Sequence, residues 1–235
     1  MKIGIDNFVA LEGRLTGELA KRADFYGVGE CCCTRMRTKR NSGVEDYINV
    51  VLPADAVGCD KLIAAKGSDN TAAYCCGRLQ TRKDWATGKV LVYVLAEWID
   101  IVTNTRKYED WNVVHIDAVL GKKPIYRMTP KNRRITDVTL KVPNVLKPDG
   151  FCYIPTIFWS VAAERVRDYK EGDTISITGR LQSREYVKMT EHGEKTRIAY
   201  ELSVTSIDDT LGTCMTMGFW ESSHQPRAYK ESEEE

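Results

Sequence analysis

Alternation of apolar and polar side chains dominates this chain. In TISITGRLQSREYVK (174–188), Ile175, Ile177, Leu181 and Val187 fall on one parity, and Arg180, Gln182, Arg184, Tyr186 and Lys188 on the other. A period of two is the mark of a strand with one buried and one exposed face. DVTLKV (137–142) and CTRMRTKR (33–40) alternate in the same way. In YIPTIFW, Tyr153, Ile157 and Trp159 share one parity, with Ile154 and Phe158 opposite, so this strand is apolar on both faces. Thr87-Gly88 and His192-Gly193 are turn signals that separate strand pairs. A helical period occurs in two places. In SVAAERVRDYKEGD (160–173), Val161, Ala162, Val166 and Tyr169 share a face and Gly172 ends the run; ADAVGCDKLIAAKGS (54–68) is its counterpart.

The elements come in two sets. GRLQTR (77–82) returns as GRLQSR (179–184), and NFVALEGRL (7–15) as NVVHIDAVL (112–120). DYINVVLP (46–53) matches CYIPTIFW (152–159), and VYVLAEWID (92–100) matches AYELSVTSID (199–208). Matches in one order at near-constant offset indicate a tandem duplication, joined near residues 101–111. The expected domains are 1–104 and 108–208, followed by a short acidic tail at 209–235. Each copy reads as five strands with a helix between the third and fourth, which is the plan of an OB fold. The expected fold class is therefore all-β with one short helix per domain, as two tandem five-stranded OB barrels.

Composition narrows the function. At 43% hydrophobic and 29% charged residues the chain is an ordinary globular one, and no apolar run approaches the ~20 residues of a membrane span. The opening MKIGIDNFVALEGRL has no signal-peptide pattern, so a cytoplasmic protein is expected. Net charge is +1, but its distribution is uneven. Residues 1–104 hold 14 basic and 13 acidic side chains, residues 105–208 hold 18 and 14, and residues 209–235 hold 2 and 6. Any nucleic-acid surface must therefore come from charge arranged on one face. Eight cysteines are present, yet no CxxC pair occurs, and His115, His192 and His224 complete no zinc spacing. They read as reduced, small apolar residues. No cofactor or metal is expected. With no phosphate loop and no nucleophile motif, no catalytic residues are assigned and an enzyme is not expected.

The second copy carries a recognisable string: NVVHIDAVLGKKPIYRMTPKNRRITDVTLKVPN, then YIPTIFWSVAAERVRDYKEGDTISITGRLQSREY. It resembles the DNA-binding domain of bacterial single-stranded-DNA-binding proteins (SSB), in the form that carries two OB domains per chain. The shared motifs are the N-x-V opening, a P-x-x-R-x-T-P turn and an I-x-x-x-x-L strand, then an aromatic-ended strand before an A-E helix and the G-R-L-x-[ST]-R hairpin. Copy one keeps the opening and the hairpin but lacks the P-x-x-R-x-T-P turn. The resemblance implies binding of single-stranded DNA in replication, recombination or repair. It also implies a homodimer presenting four OB domains, and Tyr153, Trp159 and Tyr186 as base-stacking positions. The family's hydrophobic tail tip, which recruits replication and repair proteins, is absent from KESEEE.

The residues suit that chemistry, because sequence-tolerant binding of single strands needs aromatic platforms interleaved with Arg and Lys. In copy two the candidates are Arg127, Lys141, Tyr153, Trp159, Arg180, Arg184, Tyr186 and Lys188. Trp159 could instead pack beneath the helix, and the hairpin's stripe could be a solvated face. In copy one they are Arg35, Arg37, Lys39, Tyr47, Arg78, Arg82 and Trp85. There Pro53 replaces the aromatic equivalent to Trp159, and Asp84 holds the hairpin position with Trp85 one residue late, so a bulge would be needed to turn Trp85 to the face. Copy one is expected to be more electrostatic in character, binding differently or serving assembly. Alternatives are an RNA-binding or primosome-type OB protein, or a protein-interaction scaffold with degenerate grooves.

Overall fold

The computed structural model describes residues 7–25, 27–64, 71–83, 88, 90–102, 110–147, 149–190 and 193–208. The first set of strands is β1 (Asn7–Arg22), β2 (Cys31–Lys39), β3 (Glu45–Pro53), β4 (Ala72–Lys83) and β5 (Val90–Ile101), with helix α1 (Cys59–Ala64) between β3 and β4. The second is β6 (Trp111–Leu120), β7 (Ile125–Met128), β8 (Arg134–Pro143), β9 (Phe151–Trp159), β10 (Thr174–Thr190) and β11 (Gly193–Asp208), with α2 (Ser160–Val166) after β9. Hydrogen-bonded neighbours run β2-β3-β5-β4-β1-β6-β10-β11-β9-β8-β7. Additional β1–β2 and β6–β8 pairings close each half into a five-stranded OB barrel. In both, the third and fifth strands pair in parallel, through Val50↔Val94 and Thr156↔Leu202. The second half adds β7, a short ribbon on β8 made by the P-x-x-R-x-T-P segment. Thr129 closes the turn after it, accepting the Arg133 N–H on its hydroxyl.

The two barrels share one sheet because β1 and β6 pair antiparallel, from Asn7↔Ile116 to Glu12↔Trp111. Asn7 faces Ile116, and their duplication counterparts Asn112 and Leu11 face each other, so the joint has a local pseudo-twofold. Alternation places Val138, Leu140, Val142, Ile154 and Phe158 inside the second barrel, and Leu15, Met36, Ile48, Val50 and Leu79 inside the first. At about 25 cal/mol per Å² of apolar surface removed from water, these interiors are the main stabilising term. The cysteines serve them: Cys32, Cys59, Cys75 and Cys152 are buried free thiols in the core. Burial pushes the Cys59 thiol up to about 11, so it stays protonated at neutral pH.

Two local expectations are corrected. Helix α2 buries Ala163 and Val166, while Val161 is 74% exposed; it spans only seven residues, so the face is set by which side meets β8 and β9. Val187, expected on the core side, is 58% exposed. The β10–β11 ladder runs on to Thr190↔Gly193, and Val187 stands on this extension.

Candidate nucleic-acid interface

The repeated hexapeptide is a joint. Its glycine sits where β4 and β5, or β10 and β11, shift register: Gly77 faces Ala96 and leaves Glu97 extra, and Gly179 faces Val204 and leaves Thr205 extra. A Cβ on Gly77 would lie 2.1 Å from the Leu95 carbonyl oxygen, and one on Gly179 would lie 2.6 Å from that of Ser203. Only glycine allows backbones this close at a bulge. The leucine enters the core and is held by the opening asparagine. Asn7 Nδ2 donates to the Leu79 carbonyl and its Oδ1 accepts the Leu79 N–H. Asn112 does the same with Leu181, at 2.7 and 2.9 Å.

The fifth residue crosses to the other barrel. The Tyr47 N–H donates to Ser183 Oγ at 2.9 Å, and the Tyr153 N–H donates to Thr81 Oγ1 at 3.0 Å. The remaining positions differ between copies. Gln80 is fully buried and accepts from the Val145 N–H and from Cys152 Sγ. By the duplication Gln80 is the counterpart of Gln182 and is expected on the outward parity of its hairpin, and the structure buries it instead. Arg78 pairs with Glu97 on the bulge at 2.7 Å. Arg180 reaches back to the buried Asp46 at 3.7 Å. Asp46 also takes both ends of Arg40, at 2.8 and 2.6 Å, and the Ser183 N–H. Desolvation holds the Arg180 guanidinium below its ordinary pKa despite Asp46. Arg180 thus stands on the joint side of its hairpin, while Arg78 is tied to the bulge of its own barrel.

The outer face of β8 and β9 in the second barrel is open. Tyr153 is 46% exposed. The bare backbone of Gly121 leaves room for its ring, since a Cβ there would approach it to 3.2 Å. Lys141 is Tyr153's cross-strand partner, and its ammonium lies 3.9 Å over the ring of Phe151. Phe151, 48% exposed, shares Tyr153's parity. The alternation in FCYIP is the signal that could have flagged it. Ile157 forms a buried floor in a cleft lined by Lys122, Lys123, Asp137, Thr139 and Pro155. Trp159 is half-buried, its indole N–H donating to Ser203 Oγ at 3.0 Å. Arg127 at the rim is held by Asp137, a bond that raises its pKa. Arg184 and Tyr186 are exposed on the projecting hairpin. Lys188 lies on the same strand, its side chain outside the described residues.

The same face of the first barrel is partly covered. Phe25 and Val28, from the β1–β2 connection, and Leu146, from the second barrel, pack on Cys31, Val51, Tyr93 and Leu95. Phe25 meets Tyr93 edge-on at 5.8 Å. The ladders make Tyr93 and Leu95 the counterparts of Glu201 and Ser203. What remains open is a cleft that includes Thr16, Cys33, Arg35, Tyr47 and Asn49. Arg35 and Tyr47 line it, Arg37 faces Tyr47 across the ladder, and Glu45 pairs with Arg37 at 3.5 Å and accepts the Tyr47 hydroxyl at 2.9 Å. Lys39 is exposed at the end of β2, and Arg82 is half-buried near the joint. Trp85 lies outside the described residues.

Two OB barrels fused edge to edge, one of them bearing outward aromatics flanked by cations, place the chain among tandem OB-fold proteins. The model of the single-strand binding protein family matches residues 111–209, the span of the second barrel. No curated protein sequence matches the chain. Among solved structures it is similar to a deletion and point mutant of the single-stranded DNA binding protein from Thermus aquaticus. Identity is 20% and the TM-score 0.66, over 89% of this chain and 96% of that one. The wild-type Thermus aquaticus protein matches at 20% identity and TM-score 0.66, over 87% and 92%. These matches extend the shared fold over both barrels.

Proposed function

We propose that the chain binds single-stranded DNA with little regard to sequence, stacking bases on the second barrel and pairing phosphates with its Arg and Lys side chains. The observation that carries this reading is the open β8–β9 face. On it, exposed Tyr153 and Phe151 stand beside Lys141, on the barrel that the model of the single-strand binding protein family matches. A solvated strand face has no use for two exposed rings, whereas a base stacked on an aromatic is worth about 1–3 kcal/mol. The units of this reading are an assembly-weighted domain at 1–104, a binding domain at 108–208 and an acidic tail at 209–235. Its role is that of a cytoplasmic, nucleoid-associated binding protein, not an enzyme, protecting single strands in replication, recombination or repair. Two chains would form a homodimer with four OB barrels. No described helix is long and apolar enough to cross a membrane.

Fluorescence titration with oligo-dT, run beside a matched RNA and with sedimentation of free protein, tests this. Quenching of Trp and Tyr emission is expected, with an affinity that falls as salt rises, together with a dimer mass. Absence of quenching at low salt would overturn DNA binding, tighter binding of the RNA would move the substrate class, and a monomer mass would remove the dimer.

A further inference from the structure

The pseudo-twofold gives the molecule two seams where the hexapeptide of one barrel meets the third strand of the other. They are equivalent by descent but opposite in charge. At one seam, where Thr81 holds the Tyr153 N–H, a cleft of about 660 Å³ is lined by Arg22, Asp24, Phe25, Gly27, Arg82 and Lys147. Among the described residues, three cations converge there from β1, β4 and the β8–β9 connection against one carboxylate. That carboxylate, Asp24, accepts the N–H groups of Gly27 at 3.1 Å and Gly29 at 2.8 Å. At the other seam, where Ser183 holds the Tyr47 N–H, the charged lining is Arg40, Arg184, Glu45, Glu185 and Glu201. Arg40 is already bound in both arms to Asp46.

We propose that a single strand leaving the β8–β9 face crosses to the first barrel through the cationic seam, its phosphates held by Arg22, Arg82 and Lys147. The inference rests on the single-strand reading above and adds a route to it. Continuity favours this seam. Lys147 belongs to the connection that leads into Phe151 and Tyr153, and Arg82 directly follows the Thr81 bonded to Tyr153. A base leaving the stack on those rings therefore meets cations within a few residues. Phe25 supplies an apolar wall in the same cleft. The three carboxylates of the opposite seam repel a phosphate chain, because like charges at a few ångströms cost energy even in water.

The experiment compares two lengths of oligo-dT on the full chain. One is roughly 10 nucleotides, within reach of a single OB domain, and the other about three times longer. The variant is Arg22→Glu combined with Lys147→Glu, both exposed positions. Affinity for the long oligonucleotide is expected to fall about tenfold or more at low salt, and its log–log salt slope to shrink by about 1.4. Affinity for the short one stays unchanged, which also reports an intact second barrel. An unchanged long-oligonucleotide affinity, or an equal loss at both lengths, would overturn the route. Wild-type protein that binds neither length would instead overturn the single-strand reading on which the route rests.

Discussion

Replacing Tyr153 and Tyr186 together by alanine is expected to weaken binding to every single-stranded sequence by about 30-fold or more while leaving the fold intact. Each stacked base is worth about 1–3 kcal/mol, and about 1.4 kcal/mol is a factor of ten, so two lost platforms give at least this loss. The fold tolerates the change because both rings are largely outside the core, at 46% and 37% exposure. The Tyr153 contribution to the joint is made by its backbone N–H, which alanine retains. Titrations with oligo-dT and with mixed-sequence oligonucleotides measure the effect; an affinity within twofold of wild type would remove the β8–β9 face from the binding surface. Uniform loss across sequences separates stacking from base readout, since every base has a π-face.

The largest expected effect on stability lies at Asp46. Its carboxylate is fully buried and accepts from Arg40 and from the Ser183 N–H, with Arg180 at 3.7 Å. Asp46→Ala strands two guanidinium groups that are only 21% and 25% exposed. Breaking such a pair costs about 3–5 kcal/mol, because the remaining charge keeps its desolvation penalty. In a chain of this size that lowers the melting temperature by roughly 10 °C. Asp46→Asn keeps an acceptor for the Ser183 N–H and is expected to lose less. Calorimetry of the three proteins tests this order. Asp46→Ala melting within 2 °C of wild type would show that the cluster adds nothing to the joint.

The hexapeptide shows how far the one-dimensional pattern reaches. Its leucine and glycine are legible as inward, tight positions, and Leu79, Leu181, Gly77 and Gly179 all behave so. The polar parity is legible as outward, but outward from a barrel includes the space between two barrels. Gln80 is therefore buried, and Arg180 faces Asp46. The cross-joint bonds to Thr81 and Ser183 span more than seventy residues, and no local period encodes them. Phe151 was legible by parity with Tyr153 but lay at a strand's first residue. The cover of Phe25, Val28 and Leu146 over the first barrel was not legible at all, because it depends on where two connections fold.

By itself the sequence determined the duplication, the all-β plan, the two barrels and the aromatic face of the second. These follow from alternation, turn residues and repeated spacing, which act over a few residues. The tertiary structure alone decided how equal residues in the two copies came to differ. The fusion of β1 to β6 brings the fifth hexapeptide residue of each barrel onto the third strand of the other. From that contact follow a buried ion cluster at one seam and a cationic cleft at the other. Burial and charge depend on what packs across a joint, and that neighbour is distant in the chain.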